Sequence, residues 1–460
     1  FLPVTNDNYC PVKALNRWLE IAMIEKGPLF YKINKSNTIE KYTMNFKNQK
    51  VSLNDSSFVL ILKKRALAAG REIKIGFVDP RTGPIAAFGE ATEYVVNKFL
   101  NDMGNQITIN GVTHPVRLIY KDSQSNGNRA AEVTNELISR DEVDIVLASS
   151  TPDTTNPVAD QCEINEVPCV SSDCPWQPYF FGRGGNPAEG FEWTYHFFWG
   201  LEDVIANFTN LWNSISTNKV VGGLFPNDAD GNAWGDENLG FPKPLAAQGF
   251  TLIDPGRYQN LSDDFTSQIN AFKAANVEIV TGVMLPPDFG TFWSQAAQLN
   301  FKPKIATVGK ALLFPAAVEA IGPRAEGLST EVWWTPNHPF SSSATGESCA
   351  DLASGWTSDS GRPWTQPLGF KHALLEVAYD VLVRAADLDS PEAIRDAIKS
   401  TNLNTIVGNV NWSTGPVPNV SKTPLVGGQW KKGTTFPWDL VIVNNQHAPA
   451  IPVSGQFEAL

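Results

Sequence analysis

The chain has 460 residues, 42% of them hydrophobic and 18% charged, and a formal net charge of −12. That length exceeds what one core ordinarily serves, so two or three domains are expected. The acidic balance argues against nucleic acid as the main partner, and no apolar run approaches the ~18 residues that cross a bilayer.

Residues 1–70 stand apart in charge. They hold eleven Lys and Arg against five Asp and Glu, inside a chain that is otherwise strongly acidic. "CPVKALNRWLEIAMI" places Val12, Leu15, Trp18, Leu19 and Ala22 on one helical face. "GPLFYKI" reads as a strand. "LNDSSFVLILKKRALAAG" reads as a helix with Asn54, Asp55 or Ser56 as cap and Gly70 as stop. In this order the segments resemble part of the catalytic domain of tyrosine recombinases. The resemblance implies an arginine cluster, a His-x-x-Arg motif and a tyrosine nucleophile, yet residues 1–70 contain no histidine. The expectation is a non-catalytic, integrase-like fragment. Its basic charge reads equally as a remnant of DNA contact or as a solvated face.

From Arg71 the pattern changes to alternation. "EIKIGFV" is a strand and "DPRTGPIAAFG" a Gly/Pro turn. "EATEYVVNKFLNDM" is a helix, "PVRLIYKDSQ" a strand, "RAAEVTNELISRD" a helix and "VDIVLASS" a strand. "NPVADQCEINE" is a helix and "VPCVSS" a strand. Further on, strands at "KVVGGLFP", "FTLIDPG", "VEIVTGVML" and "PKIATVG" alternate with helices at "GFPKPLAAQG", "DFTSQINAFKAAN" and "DFGTFWSQAAQLN". Such alternation means βαβ units and parallel sheets, and the strands are too many for one sheet. The fold class is α/β, in two lobes.

The ordered set formed by "IKIGFVDPRTGPIAAFGEA", "DSQSNGNRAAEVTNELISRDEVDIVLASSTPDTTNPVADQCEINEVPCVSS", "DDFTSQINAFKAANVEIVTGVMLPPDFGTFWSQAAQLNF", "AEGLSTEVWW" and "LNTIVGNVNWSTGP" resembles type I periplasmic binding proteins of the leucine/isoleucine/valine-binding branch. The resemblance implies two Rossmann-like lobes joined by three crossovers, near Phe197–Phe198, Glu331–Trp333 and Thr405–Val407. One lobe would hold 72–197 and 333–405, the other 198–332 and 406–460. It further implies a periplasmic or otherwise extracytoplasmic receptor, acting as a monomer, that hands a small molecule to the membrane permease of an ABC importer. The signal peptide is not in this sequence, which opens on Phe1 without a basic and apolar leader.

Ligands of open α/β sheets bind beyond the carboxyl ends of strands. The loops there are "DPRTGPIAAFG", "ASSTPDTTNP", "SSDCPWQP", "PNDADGNAWGD", "LPPDFG" and "VGKALLF". Ser150 and Asp173 sit in two of them. By the resemblance, Phe88 stacks on the ligand. Thr154 and the turn from Cys174 to Trp176 hold its carboxylate. Trp234 stands where a tyrosine is usual, and another aromatic position falls near Leu285 and Pro286. The acidic residue that meets an α-ammonium group falls at Gly309, beside Lys310. A lysine there attracts an anion, so an organic or aromatic acid is favoured over a plain amino acid. Lys310 as an ordinary solvated lysine stays an open reading.

No cofactor is expected. His114, His196, His338, His372 and His447 are scattered, and no metal spacing or nucleophile elbow appears. Cys10, Cys162, Cys169, Cys174 and Cys349 lack CxxC spacing. They read as buried thiols or, for Cys162, Cys169 and Cys174, as one loop-closing disulfide. Branched-chain amino acid or amide binding, a bilobed ligand sensor and an enzyme are the alternatives to the importer receptor, the last weakened by the missing catalytic set.

Overall fold

The computed structural model describes residues 70–460, together with the backbone of two short antiparallel strands, Thr43–Met44 and Lys50–Val51. The recombinase-like features of residues 1–70 lie outside the described residues. The chain divides into two compact units. One comprises Phe1–Arg71 with Asn110–Thr113, and the other Glu72–Ile109 with His114–Leu460. The second unit holds both large sheets.

Each sheet has seven strands. The first is ordered Val420–Ser421, Thr194–Phe197, Cys169–Ser172, Ile145–Ser149, Ile73–Asp79, Val112–Asp122, Gln106–Ile109. Its first six strands run parallel to their neighbours. Ile145–Ser149 and Cys169–Ser172 are buried at every position, as expected for parallel strands covered on both faces. The second sheet is ordered Thr251–Ile253, Val220–Leu224, Ile279–Val283, Ile305–Gly309, Ser329–Val332, Val426–Lys432, Trp438–Asn444. It is parallel as far as Ser329–Val332, where Val426–Lys432 adds in antiparallel.

Helices start where the sequence supplies a cap. Pro152 and Pro286 open the helices Pro152–Ile164 and Pro286–Gln298, where a missing N–H costs nothing. Asp228 caps Ala229–Trp234 by accepting from the Gly231 amide at 2.7 Å. These starts follow strand ends, so the helix N-termini and the last strand residues gather at one rim of each sheet. No described helix is long and apolar enough to cross a membrane.

The chain passes between sheets three times. It leaves the first sheet after Thr194–Phe197 and enters the helix Leu201–Asn213, which packs on the second. It leaves the second sheet after Ser329–Val332 and returns through the helix Pro367–Arg384, which packs on first-sheet strands. The third passage corrects the expectation of Thr405–Val407. Gly408–Asn411 folds back on Asn402–Thr405, and Val420–Ser421 still pairs with His196–Phe197 in the first sheet. The passage therefore falls at residues 422–425. Trp412 holds the intervening stretch to the first lobe, with its indole donating to the Ile398 carbonyl at 2.6 Å and its ring against Phe197 and Tyr195. Lys422 ties this third passage to the first through Glu202 and Asp203, both at 2.7 Å.

Cys162, Cys169, Cys174 and Cys349 are free thiols, all buried, which agrees with the reading of buried thiols and not with the alternative of a loop-closing disulfide. Cys10 lies outside the described residues.

Candidate functional site

Directly after three of the parallel strands the chain adopts left-handed backbone at a residue that is not glycine: Ser150 (φ 78°), Asp173 (φ 67°) and Lys310 (φ 63°). Such strain persists only where the surroundings fix it, and it concentrates at functional sites. Asp173 and Lys310 line one narrow cavity between the two sheets, whose empty space, counted together with the part open to solvent, is about 330 Å³.

On the first-lobe side the wall rests on a fully buried ion cluster. Asp79, the last residue of Ile73–Asp79, accepts from Ser149 Oγ at 3.0 Å and Ser150 Oγ at 2.8 Å. Lys371, from the helix Pro367–Arg384, reaches Asp79 at 3.2 Å and Asp173 Oδ2 at 2.9 Å. Burial alone would lower the lysine, but the two aspartates outweigh it and hold the ammonium above its usual range. The second oxygen of Asp173, Oδ1, is buried and has no hydrogen-bond partner.

On the second-lobe side a similar cluster lies in the wall itself. Lys310 Nζ is 2.5 Å from Asp230 Oδ2 and 3.8 Å from Asp228 Oδ2. Lys310 is 5% exposed. It is neither a solvated lysine nor a bare cation, which corrects the expectation that it awaits an anion. Burial opposes its charge, and Asp230 and Asp228 more than restore it. Asp230 is pushed up by burial to about 6, with Lys310 pulling it back. Its Oδ1 also lacks a partner.

Glu331 also lines the cavity, beside the second cluster. It accepts from the Lys310 backbone N–H at 3.0 Å and from Thr330 Oγ1 at 2.6 Å. Burial pushes its carboxyl up to about 7 against those bonds. Gly309 explains the arrangement: a Cβ there would stand 2.6 Å from the Trp234 ring and 3.3 Å from Glu331 Oε1. Trp234, stacked on Phe241 at 5.3 Å, leaves no room for a side chain at 309. A carboxylate arrives instead from the neighbouring strand.

The remaining wall is aromatic. Phe198, Trp199 and Trp333 come from the first two passages between sheets and line the cavity with Phe88 and Trp234. Gln366 fixes the second passage, accepting from Trp333 N at 2.8 Å and donating to Glu331 O at 3.2 Å. The indole N–H groups of Trp199, Trp234 and Trp333 are buried without acceptors. Phe88 meets Phe314 edge-on at 4.9 Å, and Asp153 accepts from Ala229 N at 3.4 Å. Both contacts join the lobes across the cleft.

Of the residues singled out from sequence, Phe88, Asp173, Cys174, Trp234 and Lys310 line the cavity. Ser150 is spent on Asp79 behind it. Thr154 is turned into its own helix, donating to Ser150 O at 3.1 Å, and Thr151 lines the wall in its place. The Trp176 indole donates to Glu202 at 3.1 Å and its amide to Trp199 O at 3.2 Å; neither donor is left for a carboxylate. Pro286 starts its helix outside the wall, to which Val283 contributes. Sequence reasoning missed Trp199, Asp230, Glu331 and Trp333. The signal was present, since Trp333 and Trp199 stand in or beside two of the stretches where the resemblance implies that the chain passes between lobes.

Among solved structures, a leucine-binding protein from Thermotoga maritima is 19% identical, covers 82% of this chain and 99% of its own, and superposes with a TM-score of 0.67. A solute-binding protein of an ABC transporter from R. palustris, in complex with 4-hydroxybenzoate, is 15% identical over 85% of this chain and 97% of its own, with a TM-score of 0.64. A second R. palustris protein, in complex with benzoate, is 13% identical over 84% and 98%, with a TM-score of 0.66. At these identities the likeness is one of fold. The recombinase resemblance of residues 1–70 finds no support in these matches. Residues 72–433 match the periplasmic binding protein family; the chain therefore belongs to that family and is an extracytoplasmic solute-binding receptor.

Proposed function

We propose that the receptor serves an ABC importer from the periplasm and binds a small ligand that presents a carboxylate on an aromatic or apolar body. The observation that carries this reading is that three residues lining one small aromatic-walled cavity, Trp199, Trp234 and Trp333, each keep a buried indole N–H without an acceptor. A buried donor without an acceptor is costly, and a ligand oxygen relieves that cost. Phe88, Phe198 and the indole faces supply flat apolar surface. The carboxylate is thus met by indole N–H groups and not by Lys310, whose charge is taken up by Asp230. The likeness to the leucine-binding protein supports a place in the branched-chain amino acid branch of the family. The benzoate-bound relatives support an aromatic acid.

A thermal-shift screen of benzoates, short organic acids, amides and amino acids tests this. A ligand present at a hundredfold excess over Kd adds about 2.7 kcal/mol to stability, and the melting temperature rises accordingly. A benzoate or related acid is expected to give the shift. A screen in which only ligands without a carboxylate shift the transition would contradict the proposal.

A further inference from the structure

Three indole donors take up three of the roughly four lone-pair sites of a ligand carboxylate and leave the acceptors of the cavity unanswered. Asp173 and Asp230 line it, and each keeps one buried oxygen, Oδ1, without a partner. The two residues are buried, at 4% and 3% exposure. Each is tied by its other oxygen, Asp173 to Lys371 and Asp230 to Lys310, so neither can swing out to water. Buried acceptors of this kind call for donors.

Charge sharpens the difficulty. The two ion clusters and the wall hold the carboxyl groups of Asp79, Asp173, Asp228, Asp230 and Glu331 against only two ammonium groups, Lys310 and Lys371. Both ammonium groups are already paired. An anionic ligand entering here meets an excess of negative charge in a narrow space, where carboxylates that share a site cannot all stay ionised. One proton resolves both difficulties. Placed between the ligand carboxylate and an aspartate, it removes one negative charge. It also gives the unpartnered aspartate oxygen and the ligand's fourth lone-pair site a shared O–H, which makes a short and strong hydrogen bond.

Asp230 is the holder that its surroundings favour. Lys310 acts on it from the end of Ile305–Gly309, Asp228 from the cap of its own helix, Asp153 from the helix Pro152–Ile164 and Glu331 from Ser329–Val332. Asp173 shares the cavity wall, and the Cys174 thiol nearby is kept neutral by burial. Among these only Lys310 favours the carboxylate. Burial and the neighbouring acids push Asp230 up to about 6, so one further anion beside it suffices to keep it protonated at neutral pH. We propose that the receptor takes its ligand together with a proton from solvent, shared between the ligand carboxylate and Asp230 Oδ1. This rests on the reading of the cavity as a receptor site for a carboxylate and adds the form in which the ligand is held.

Titration calorimetry of the full chain with benzoate, in buffers of different ionisation enthalpy, reads the proton directly. About one proton is expected to be taken up per benzoate at pH 7.5. Benzoate should weaken by up to about tenfold per pH unit above pH 6.5 and level off below about pH 5.5. Benzamide is the uncharged comparison. Its amide N–H answers Asp230 Oδ1 without a proton, so its binding should neither take up protons nor weaken as pH rises. Asp230→Asn puts a permanent donor at the same place and is expected to abolish both the uptake and the pH dependence with benzoate. Because that variant leaves Lys310 without its partner and could fold poorly, the comparison of the two ligands on the wild type stands by itself. Benzoate binding with no proton uptake or with release, or benzamide weakening in parallel with benzoate, would overturn the inference and leave the receptor reading standing. Uptake undiminished in Asp230→Asn would overturn the assignment to Asp230. Benzamide binding where benzoate does not would retire the carboxylate and the shared proton with it, and no binding by either ligand between pH 5.5 and 7.5 would overturn both readings.

Discussion

The two lobes solve one electrostatic problem in two ways. Each places a lysine between two aspartates at the carboxyl rim of its sheet. In the first lobe, Lys371 is wholly buried behind Asp173 and never meets the cavity. In the second, Lys310 and Asp230 both line it. The first cluster is scaffold with one working face. The second is part of the wall, next to a glutamate that titrates near neutrality. The difference teaches that a buried lysine beside a cleft need not be a ligand contact, because its charge can be used up in holding an aspartate still.

The largest expected effect is at Lys371. Lys371→Met leaves Asp79 and Asp173 facing each other without a cation, and removing one partner of a buried ion cluster costs about 3–5 kcal/mol. Urea denaturation measures this, and adding Asp79→Asn should recover much of the loss. A cost below about 1 kcal/mol, the range of exposed pairs, would mean that the cluster is hydrated and the contrast with Lys310 is false.

Lys310→Met is expected to cost less, about 1–3 kcal/mol, the penalty for leaving a buried polar group without its partner, because ligand or water in the cavity can reach Asp230. Benzoate affinity should fall less than tenfold. A fall of a hundredfold or more would restore Lys310 as the anion contact.

Next in size is the pH dependence of stability. Glu331 is held at about 7 in the fold, above an unfolded value near 4.3. The folded state therefore holds a proton that the unfolded state has already lost. Stability from this group is greatest at low pH and declines as pH rises through about 7. Three buried histidines, His196, His338 and His372, are pulled by burial to about 3; they act in the opposite sense, with stability lost as pH falls below the ordinary histidine range. A difference measurement separates them. Between pH 5.5 and 7.5, Glu331→Gln should lose roughly 1–2 kcal/mol less than the wild type. Parallel curves would show that Glu331 is charged throughout.

The smallest effect belongs to the indole donors. Trp234→Phe keeps a ring and removes one N–H, so a carboxylate ligand should weaken three- to tenfold, about 1 kcal/mol for a net hydrogen bond. Equal binding by the variant would remove Trp234 from the set of donors.

Much of this was legible in the sequence. Buried parallel strands announce themselves as short apolar runs such as "VDIVLASS", and the loops after them gave Phe88, Asp173, Cys174, Trp234 and Lys310. What was not legible depends on contacts distant in the chain. Lys310 looks bare because Asp230 lies eighty residues earlier. Glu331 sits in a strand and reads as core, and only Gly309 beside it makes room for its carboxylate. The third passage was misplaced because the resemblance puts it at Thr405–Val407, where the chain only turns back on the strand Asn402–Thr405. Trp412 and the pairing of Val420–Ser421 then keep the chain in the first lobe. Periodicity reports which residues are buried; it does not report which lobe buries them.

The most direct test is a crystal structure of the full chain with benzoate. The account predicts the carboxylate within hydrogen-bond distance of indole nitrogens from Trp199, Trp234 and Trp333, with Lys310 still paired to Asp230. A carboxylate seated on Lys310 with Asp230 displaced, or a ligand bound outside this cavity, would contradict it.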